Sequence, residues 1–240
     1  MQQPDFLGPS ISNESGMEKR KRALELISNT KVSPDERTSI NLQAYLVRFL
    51  KPKVQLSNVP EISQLGLILL NREVDNQWLL PALSMNLADV PYHLILMYHG
   101  AYRGECGIAT VGFRVGLFNT IVFIDQIQGL NYEDAGRTDP RLRSAVENIL
   151  VSFRWEKMIV IILLEWARCN GFETIGIKKA CSNRWYKTEQ QMETEDLSEE
   201  RREWQRNLNK RLHIKYDVTA KKLKFKENPY FGDYWMKSLS

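Results

Sequence analysis

MIVIILLEWARCNGFETIGIKKA, residues 158–180, is the stretch on which the fold turns. Met158 to Ala167 is apolar on nearly every side of a helical wheel, the pattern of a helix buried all round. Asn170-Gly171 closes it, because a helix C-terminus favours a left-handed residue and glycine adopts that conformation at no steric cost. Thr174 to Ala180 (TIGIKKA) then reads as a strand. A helix and a strand joined across so short a turn form a unit that packs helix on sheet.

Upstream, the period is that of strands. His93 to Tyr98 (HLILMY), Cys106 to Val115 (CGIATVGFRV) and Thr120 to Gln128 (TIVFIDQIQ) are β-branched and apolar. Turns holding Gly100, Gly104, Gly116 and Asn119 separate them, so they predict an antiparallel meander. Between meander and helix, Pro140 opens RLRSAVENILVSFRW, with Leu142, Val146, Ile149 and Phe153 on one helical face. Downstream, residues 187–212 are polar, acidic first (QQMETEDLSEE) and then basic (RREWQRNLNKR). Trp204, Leu208 and Leu212 form one narrow stripe there, which predicts a solvated helix docked by an edge. Tyr216 to Phe225 predicts a short helix running into a strand, and Tyr230 to Met236 (YFGDYWM) a closing strand.

The N-terminal part has a different character. Residues 1–16 are rich in Pro, Gly, Ser and Asn and predict a flexible tail. Residues 17–58 predict a helical extension. Its first helix spans Met17 to Ser28, with Leu24 and Ile27 on one side and the basic cluster Lys19–Arg22 at its start. Ser33, Pro34 and Glu36 make a capping box for the second, with Ile40, Ala44, Leu46, Val47 and Leu50 forming its stripe. The expected architecture is therefore α+β: a mixed, mostly antiparallel central sheet, a buried central helix and this extension. Residues 59–240 form the main domain, enlarged near 129–154 and 187–212.

Composition excludes more than it identifies. Hydrophobic residues are 43% and charged residues 26% of the 240, ordinary for a globular chain and unlike a disordered or fibrous one. Cys106, Cys169 and Cys181 are far apart, as are His93, His99 and His213, which leaves no zinc spacing and no disulfide framework. The first residues lack a basic start and an apolar core, so they do not read as a secretory signal. The longest apolar run, Met158 to Leu164, is far short of the ~20 residues that cross a bilayer. A cytoplasmic protein is expected. The net charge of +4 hides an uneven distribution: residues 201–240 carry 11 basic and 4 acidic groups.

The order of elements resembles the GNAT acyltransferase fold. LLEWARCNGFETIGIKKACSN (163–183) looks like that family's central helix, the following strand and an Asn-bearing turn. YDVTAKKLKFK (216–226) looks like its late helix. The region around Arg154 and Lys157 also resembles, more weakly, the VirK-like bacterial proteins. The GNAT resemblance implies an acyl-CoA-dependent N-acyltransferase, with acetyl-CoA or another acyl-CoA as donor and a small-molecule or protein amine as acceptor. It implies a strand that splays from its neighbour to pair with the pantetheine arm, and a pyrophosphate resting on N–H groups at the start of the central helix. The family's Gln/Arg-x-x-Gly-x-Gly/Ala pattern falls here on Trp155, Met158 and Val160, without its glycines. Its late-helix tyrosine falls on Ala220, and Tyr216, one turn earlier, is the substitute acid.

The resemblance gives each candidate a role. Asp125 is the candidate base, since a carboxylate close to Ile124 and Ile127 would be desolvated into a useful range; the plainer alternative is a strand-end carboxylate turned to solvent. Gln126, Ile127 and Gln128 would line the cofactor, or be ordinary strand residues. Arg154, Trp155, Lys157 and Met158 would meet its phosphates at the helix start, where a cation opposes the helix dipole unless an anion is bound. Asn183 would contact substrate or cap a turn. Cys181, His213 and Asp217 would in principle permit a thiol nucleophile, although a small buried thiol is the default for such a cysteine. Arg201–Lys226, with ten basic and two acidic residues around Trp204, Tyr216 and Phe225, would alternatively suit nucleic acid. A third possibility is a GNAT-like fold that binds or regulates without catalysis.

Overall fold

In a computed structural model of the chain, residues 14–29, 31, 44, 46, 64–73, 75, 90–101, 104–116, 118–129, 148–150 and 154–239 are described. Most of the predicted tail, of the second N-terminal helix and of the 129–154 insertion lies outside them. The described residues form an α+β structure around one sheet of seven strands, in the order β1-β2-β3-β4-β5-β7-β6. These are β1 (Leu65–Asn71), β2 (Tyr92–Ala101), β3 (Gly104–Gly116), β4 (Ile121–Gly129), β5 (Thr174–Lys178), β6 (Lys226–Glu227) and β7 (Tyr234–Ser238). All neighbours run antiparallel except β4 and β5.

The predicted meander is present as β2–β3–β4, extended by a few residues at its ends. β1 was not anticipated. Its LGLILLN run has no alternation because both faces are covered: Leu67 and Leu69 enter the main core, while Ile68 and Leu70 pack with Ile95 and Met97 on the opposite face.

Against one face lies α2 (Trp155–Cys169), with Met158, Ile159, Val160, Ile162, Leu163 and Leu164 buried. At roughly 1.5–3 kcal/mol for each fully buried large aliphatic side chain, this helix is the largest single contribution to the core. Trp166 meets Phe113 on β3 and Phe172 in the turn beyond, with ring centroids 5.5 and 5.4 Å apart. The turn itself holds Gly171 at φ +73°, and a Cβ there would also fall 2.7 Å from the Gly16 carbonyl oxygen. Glycine is required on both counts.

Gly16 opens α1 (Gly16–Ser28), whose capping box joins Ser15 and Glu18. The helix thus begins inside the stretch expected to be tail. Ala23 and Ile27 are its buried residues, and Arg20 of the basic cluster is drawn to the Gly171 carbonyl and Glu173.

The 187–212 segment forms α3 (Glu189–Thr194) and α4 (Glu199–His213). Its predicted stripe needs one correction. Trp204 is exposed, and Gln205 is buried in its place, because the Gln205 amide donates to the Trp185 carbonyl at 2.8 Å and to Asn209 Oδ1 at 3.0 Å. After α4 the chain makes a π-helical turn (Ile214–Val218) and then α5 (Thr219–Lys222). No helix among the described residues is long and apolar enough to cross a membrane.

Candidate functional site

The parallel pair β4–β5 is where the site is built. Register pairs Ile121, Val122, Phe123 and Ile124 with Thr174, Ile175, Gly176 and Ile177, and the pairing goes no further. On the other side of β4, Ile124 faces Phe113 and Gln126 faces Gly112, so Asp125 is left over as a β-bulge. A bulge bends and twists its strand, and here it coincides with the parting from β5. Asp125–Gln128 therefore line a groove of about 440 Å³ rather than pair with β5.

Asp125 lines that groove, but not among Ile124 and Ile127 as its neighbours in sequence suggest. Those two residues face the main core. The carboxylate instead accepts from Arg114 Nε at 2.9 Å and from the Tyr234 hydroxyl at 2.5 Å, with Lys178 Nζ at 3.8 Å. Arg114 donates a further bond to the Tyr234 oxygen at 3.0 Å and lies over the Phe123 ring, 4.5 Å from its centroid. Burial disfavours the Arg114 charge, yet the Tyr234 hydrogen bond and the Asp125 charge outweigh it and raise the guanidinium pKa. Burial, with the bond to Asp125, pushes the Tyr234 phenol up to about 12. Asp125 is thus a fully engaged carboxylate, held by a cation and a phenol.

Tyr216 is buried, and its hydroxyl reaches the bulged edge of β4. It accepts from the Ile127 N–H at 3.0 Å and points back at the Asp125 carbonyl at 3.4 Å. The phenol occupies the backbone position that a neighbouring strand would take. Ala220, where the resemblance placed the acid, is fully buried.

Gln126, Ile127, Gln128 and Asn183 also line the groove. Asn183 shapes the turn after β5, its side chain accepting from the Trp185 N–H at 3.0 Å. The helix-start residues are not brought in. Met158 is fully buried in the core, which removes it from any ligand contact. Arg154 is exposed, in the left-handed conformation at φ 46°, and gives α2 no side-chain cap. Lys157 is half-buried and, like Arg154 and Trp155, is absent from the lining. Trp155 packs on the end of β4, where a Cβ on Gly129 would come within 2.7 Å of the indole.

Four groove cations were not anticipated: Arg114, Lys178, Arg184 and Lys215. Alternation along β3 and β5 puts Arg114 and Lys178 on the outer face, but only the strand pairing, invisible in sequence, sets them beside Asp125. Arg184 stacks on the half-exposed Trp185 at the mouth, 4.7 Å from the ring centroid. Lys215 extends over the Trp155 ring at 5.8 Å. Burial lowers its pKa, and Arg211 adds to that while Glu156 opposes it.

The basic 201–226 face is partly consumed by the fold. Arg206 is clamped by Glu189 at 3.0 Å and Glu199 at 2.9 Å, and Lys215 turns into the groove. Among the described residues, no group of three His, Cys, Asp or Glu could hold a metal ion. No protein-family model matches the chain, and no curated protein matches it.

Proposed function

We propose that the groove binds an acyl-CoA and transfers its acyl group to an amine, carried by a small molecule or a protein, within a GNAT-like fold. One observation carries this reading. β4 leaves its parallel partner at Asp125, and the freed Ile127 N–H has a phenol, that of Tyr216, 3.0 Å away.

A strand N–H fixed by the fold and not paired to another strand is suited to holding a thioester carbonyl oxygen, where negative charge develops during acyl transfer, once the phenol yields it. The acyl thioester supplies the electrophilic carbon and a thiolate leaving group. Tyr216 gives up its hydrogen bond from Ile127 to that carbonyl, and its long 3.4 Å bond to the Asp125 carbonyl is readily redirected. The phenol proton then neutralises the departing sulfur. Lys178 and Arg184 supply positive charge for phosphates, and Trp185 a flat apolar surface.

The acceptor amine must also lose a proton. Asp125 was the expected base, but its oxygens are occupied by Arg114 and Tyr234. Lys215 is better suited: it lines the same groove beside Tyr216, and burial favours its neutral form. Asp125 then serves to fix Arg114 and Tyr234.

Calorimetric titration and thermal shift with acetyl-CoA and a long-chain acyl-CoA test the proposal. At a hundred times the dissociation constant, stabilisation of about 2.7 kcal/mol is expected. Absence of binding by any CoA ester at millimolar concentration overturns it. The engagement of both Tyr216 and Asp125 favours a second reading, a groove that binds the ester without turning it over. Binding without release of free thiol in the presence of amines would select that one.

A further inference from the structure

The part of the basic C-terminal segment that neither the groove nor the ion pairs of α4 take up runs from Lys221 to Tyr230, KKLKFKENPY. Its apolar residues turn inward: Leu223 and Phe225 are buried in the main core. Lys221, Lys222, Lys224 and Lys226 are all exposed. Lys221 lies over the Trp235 ring at 5.2 Å, as Lys179 does. Among the described residues, the ammonium groups of Lys222, Lys224 and Lys226 have no ion-pair or hydrogen-bond partner. The one acid of the stretch, Glu227, is matched by Lys179 at 3.4 Å.

Lys224 stands where a side chain is unfavourable. α5 ends in a Schellman motif, with the Phe225 N–H donating to the Ala220 carbonyl at 3.0 Å and the Lys224 N–H to the Lys221 carbonyl at 3.1 Å. That motif needs a left-handed residue, and Lys224 supplies it at φ 61°. Glycine adopts this conformation without strain; lysine does not. The fold gives the Lys224 ammonium nothing in return. Edge protection accounts for Lys226, which sits on the outermost strand β6. It does not account for Lys222 or Lys224, which precede that strand.

Beyond β6, Tyr230 is 90% exposed in the 3-10 turn Pro229–Phe231. The turn is anchored, because Asn228 Oδ1 accepts from the Tyr230 N–H at 2.9 Å and Phe231 packs on Phe123, 5.8 Å between centroids. The phenol therefore projects from a fixed base. This stretch offers four ammonium groups and one aromatic ring, with no large aliphatic side chain at the surface. A protein interface or a lipid surface draws on apolar contact that Leu223 and Phe225, facing inward, cannot give. A nucleic-acid strand is held mainly through its phosphates and by stacking of its bases.

We propose that Lys221–Tyr230 is a binding surface for single-stranded nucleic acid, with Lys222, Lys224 and Lys226 pairing with phosphates and Tyr230 stacking on a base. None of these residues lines the groove, so the proposal stands apart from acyl transfer.

Fluorescence anisotropy of a labelled single-stranded oligonucleotide of mixed sequence, titrated with the full chain from about 50 to 200 mM salt, tests it. The logarithm of affinity should fall against the logarithm of salt with a slope of about −2 to −3, the value for three or four phosphate contacts on a single strand. Lys222→Gln combined with Lys224→Gly should make that slope shallower by about 1.4. The thermal midpoint of the same variant should not fall, since Lys224→Gly relieves the left-handed strain. Tyr230→Ala should weaken binding about fivefold or more at every salt concentration and leave the slope unchanged. Absence of binding at about 50 mM salt, or a slope unmoved by the double variant, overturns the proposal. Tighter binding to polyglutamate or to phosphatidylglycerol vesicles than to the oligonucleotide at the same salt also overturns it.

Discussion

The two halves of β4 follow different rules. From Ile121 to Ile124 the strand is flanked on both sides, by β3 and by β5, and both of its faces are apolar. Val122 and Ile124 enter the main core, and Ile121 and Phe123 pack against Met236. From Asp125 to Gly129 the β5 partner is gone, a bulge opens the half, and a carboxylate and two amides replace the aliphatic run. The first half makes stability. The second leaves one N–H unpaired to any strand and gathers charge around it, which a strand can do only where something else satisfies its backbone. Here Tyr216 does so.

The comparison breaks if Tyr216 turns out to be structural. Tyr216→Phe keeps the ring and removes the hydroxyl, leaving the Ile127 N–H to water or ligand. The expected loss of acyl transfer is about 10²–10⁴-fold, the range for a general acid. The accompanying loss of stability is about 1–3 kcal/mol, the cost of leaving the buried Ile127 N–H without its partner. A fall in chemical-denaturation stability of several kcal/mol, with the residual folded protein still active, would assign Tyr216 to the fold instead.

In the first half the expectation inverts. Ile124 is fully buried, and Ile124→Ala should cost about 2–5 kcal/mol through lost burial and a cavity. Binding of acetyl-CoA by the folded fraction should be unchanged. Urea unfolding of this variant and of Gln128→Ala, half-exposed on the groove side, sharpens the contrast, since the latter should fall within about 0.5 kcal/mol of wild type.

The same division explains what could be read in advance. The apolar half of β4, the all-apolar α2 and the glycine cap at 171 are local patterns, and each follows from neighbours in sequence. Asp125 was legible as the one carboxylate of its strand, and Tyr216 as the substitute for the late-helix tyrosine that the GNAT resemblance implies. Their chemistry was not. Asp125 owes its setting to Arg114, Lys178 and Tyr234, on three other strands, and none of these pairings leaves a trace in local period. β1 escaped notice because burial on both faces erases alternation. Trp204 and Gln205 exchanged places because a buried amide needs partners, and Gln205 found them in the Trp185 carbonyl and Asn209.

A subtler test concerns Lys215. Its charged form is disfavoured by burial, so the folded chain binds this proton less readily than the unfolded chain. Stability contributed by the group therefore rises with pH up to the ordinary lysine range. Lys215→Met should remove that rise and leave the midpoint of thermal unfolding at pH 7 equal to or above that of wild type. As a base it must be neutral, so the transfer rate should climb with pH through its lowered pKa, and Lys215→Arg should flatten the climb. A rate profile that keeps its shape in Lys215→Arg returns the role of base to Asp125 or to water.

The smallest effect expected is at Tyr234, which bridges the two halves by packing its ring at a tilt on Phe123, 4.8 Å between centroids, while donating to Asp125. Its pKa is pushed up to about 12, above the ordinary tyrosine value of about 10. The folded state therefore holds this proton more tightly than the unfolded one. The stabilisation is complete below pH ~10 and is lost as pH rises through about 12. The side chain is half-buried, so water screens part of the effect and the slope should be shallow. Tyr234→Phe keeps the ring contact with Phe123 and loses the proton. Its unfolding midpoint should sit slightly below wild type at pH 8 and converge on it by pH 12, because ionised Tyr234 beside Asp125 no longer donates. Parallel curves across that interval would mean that the phenol's bond to Asp125 contributes nothing, and that the charge cluster of the second half is held by Arg114 and Lys178.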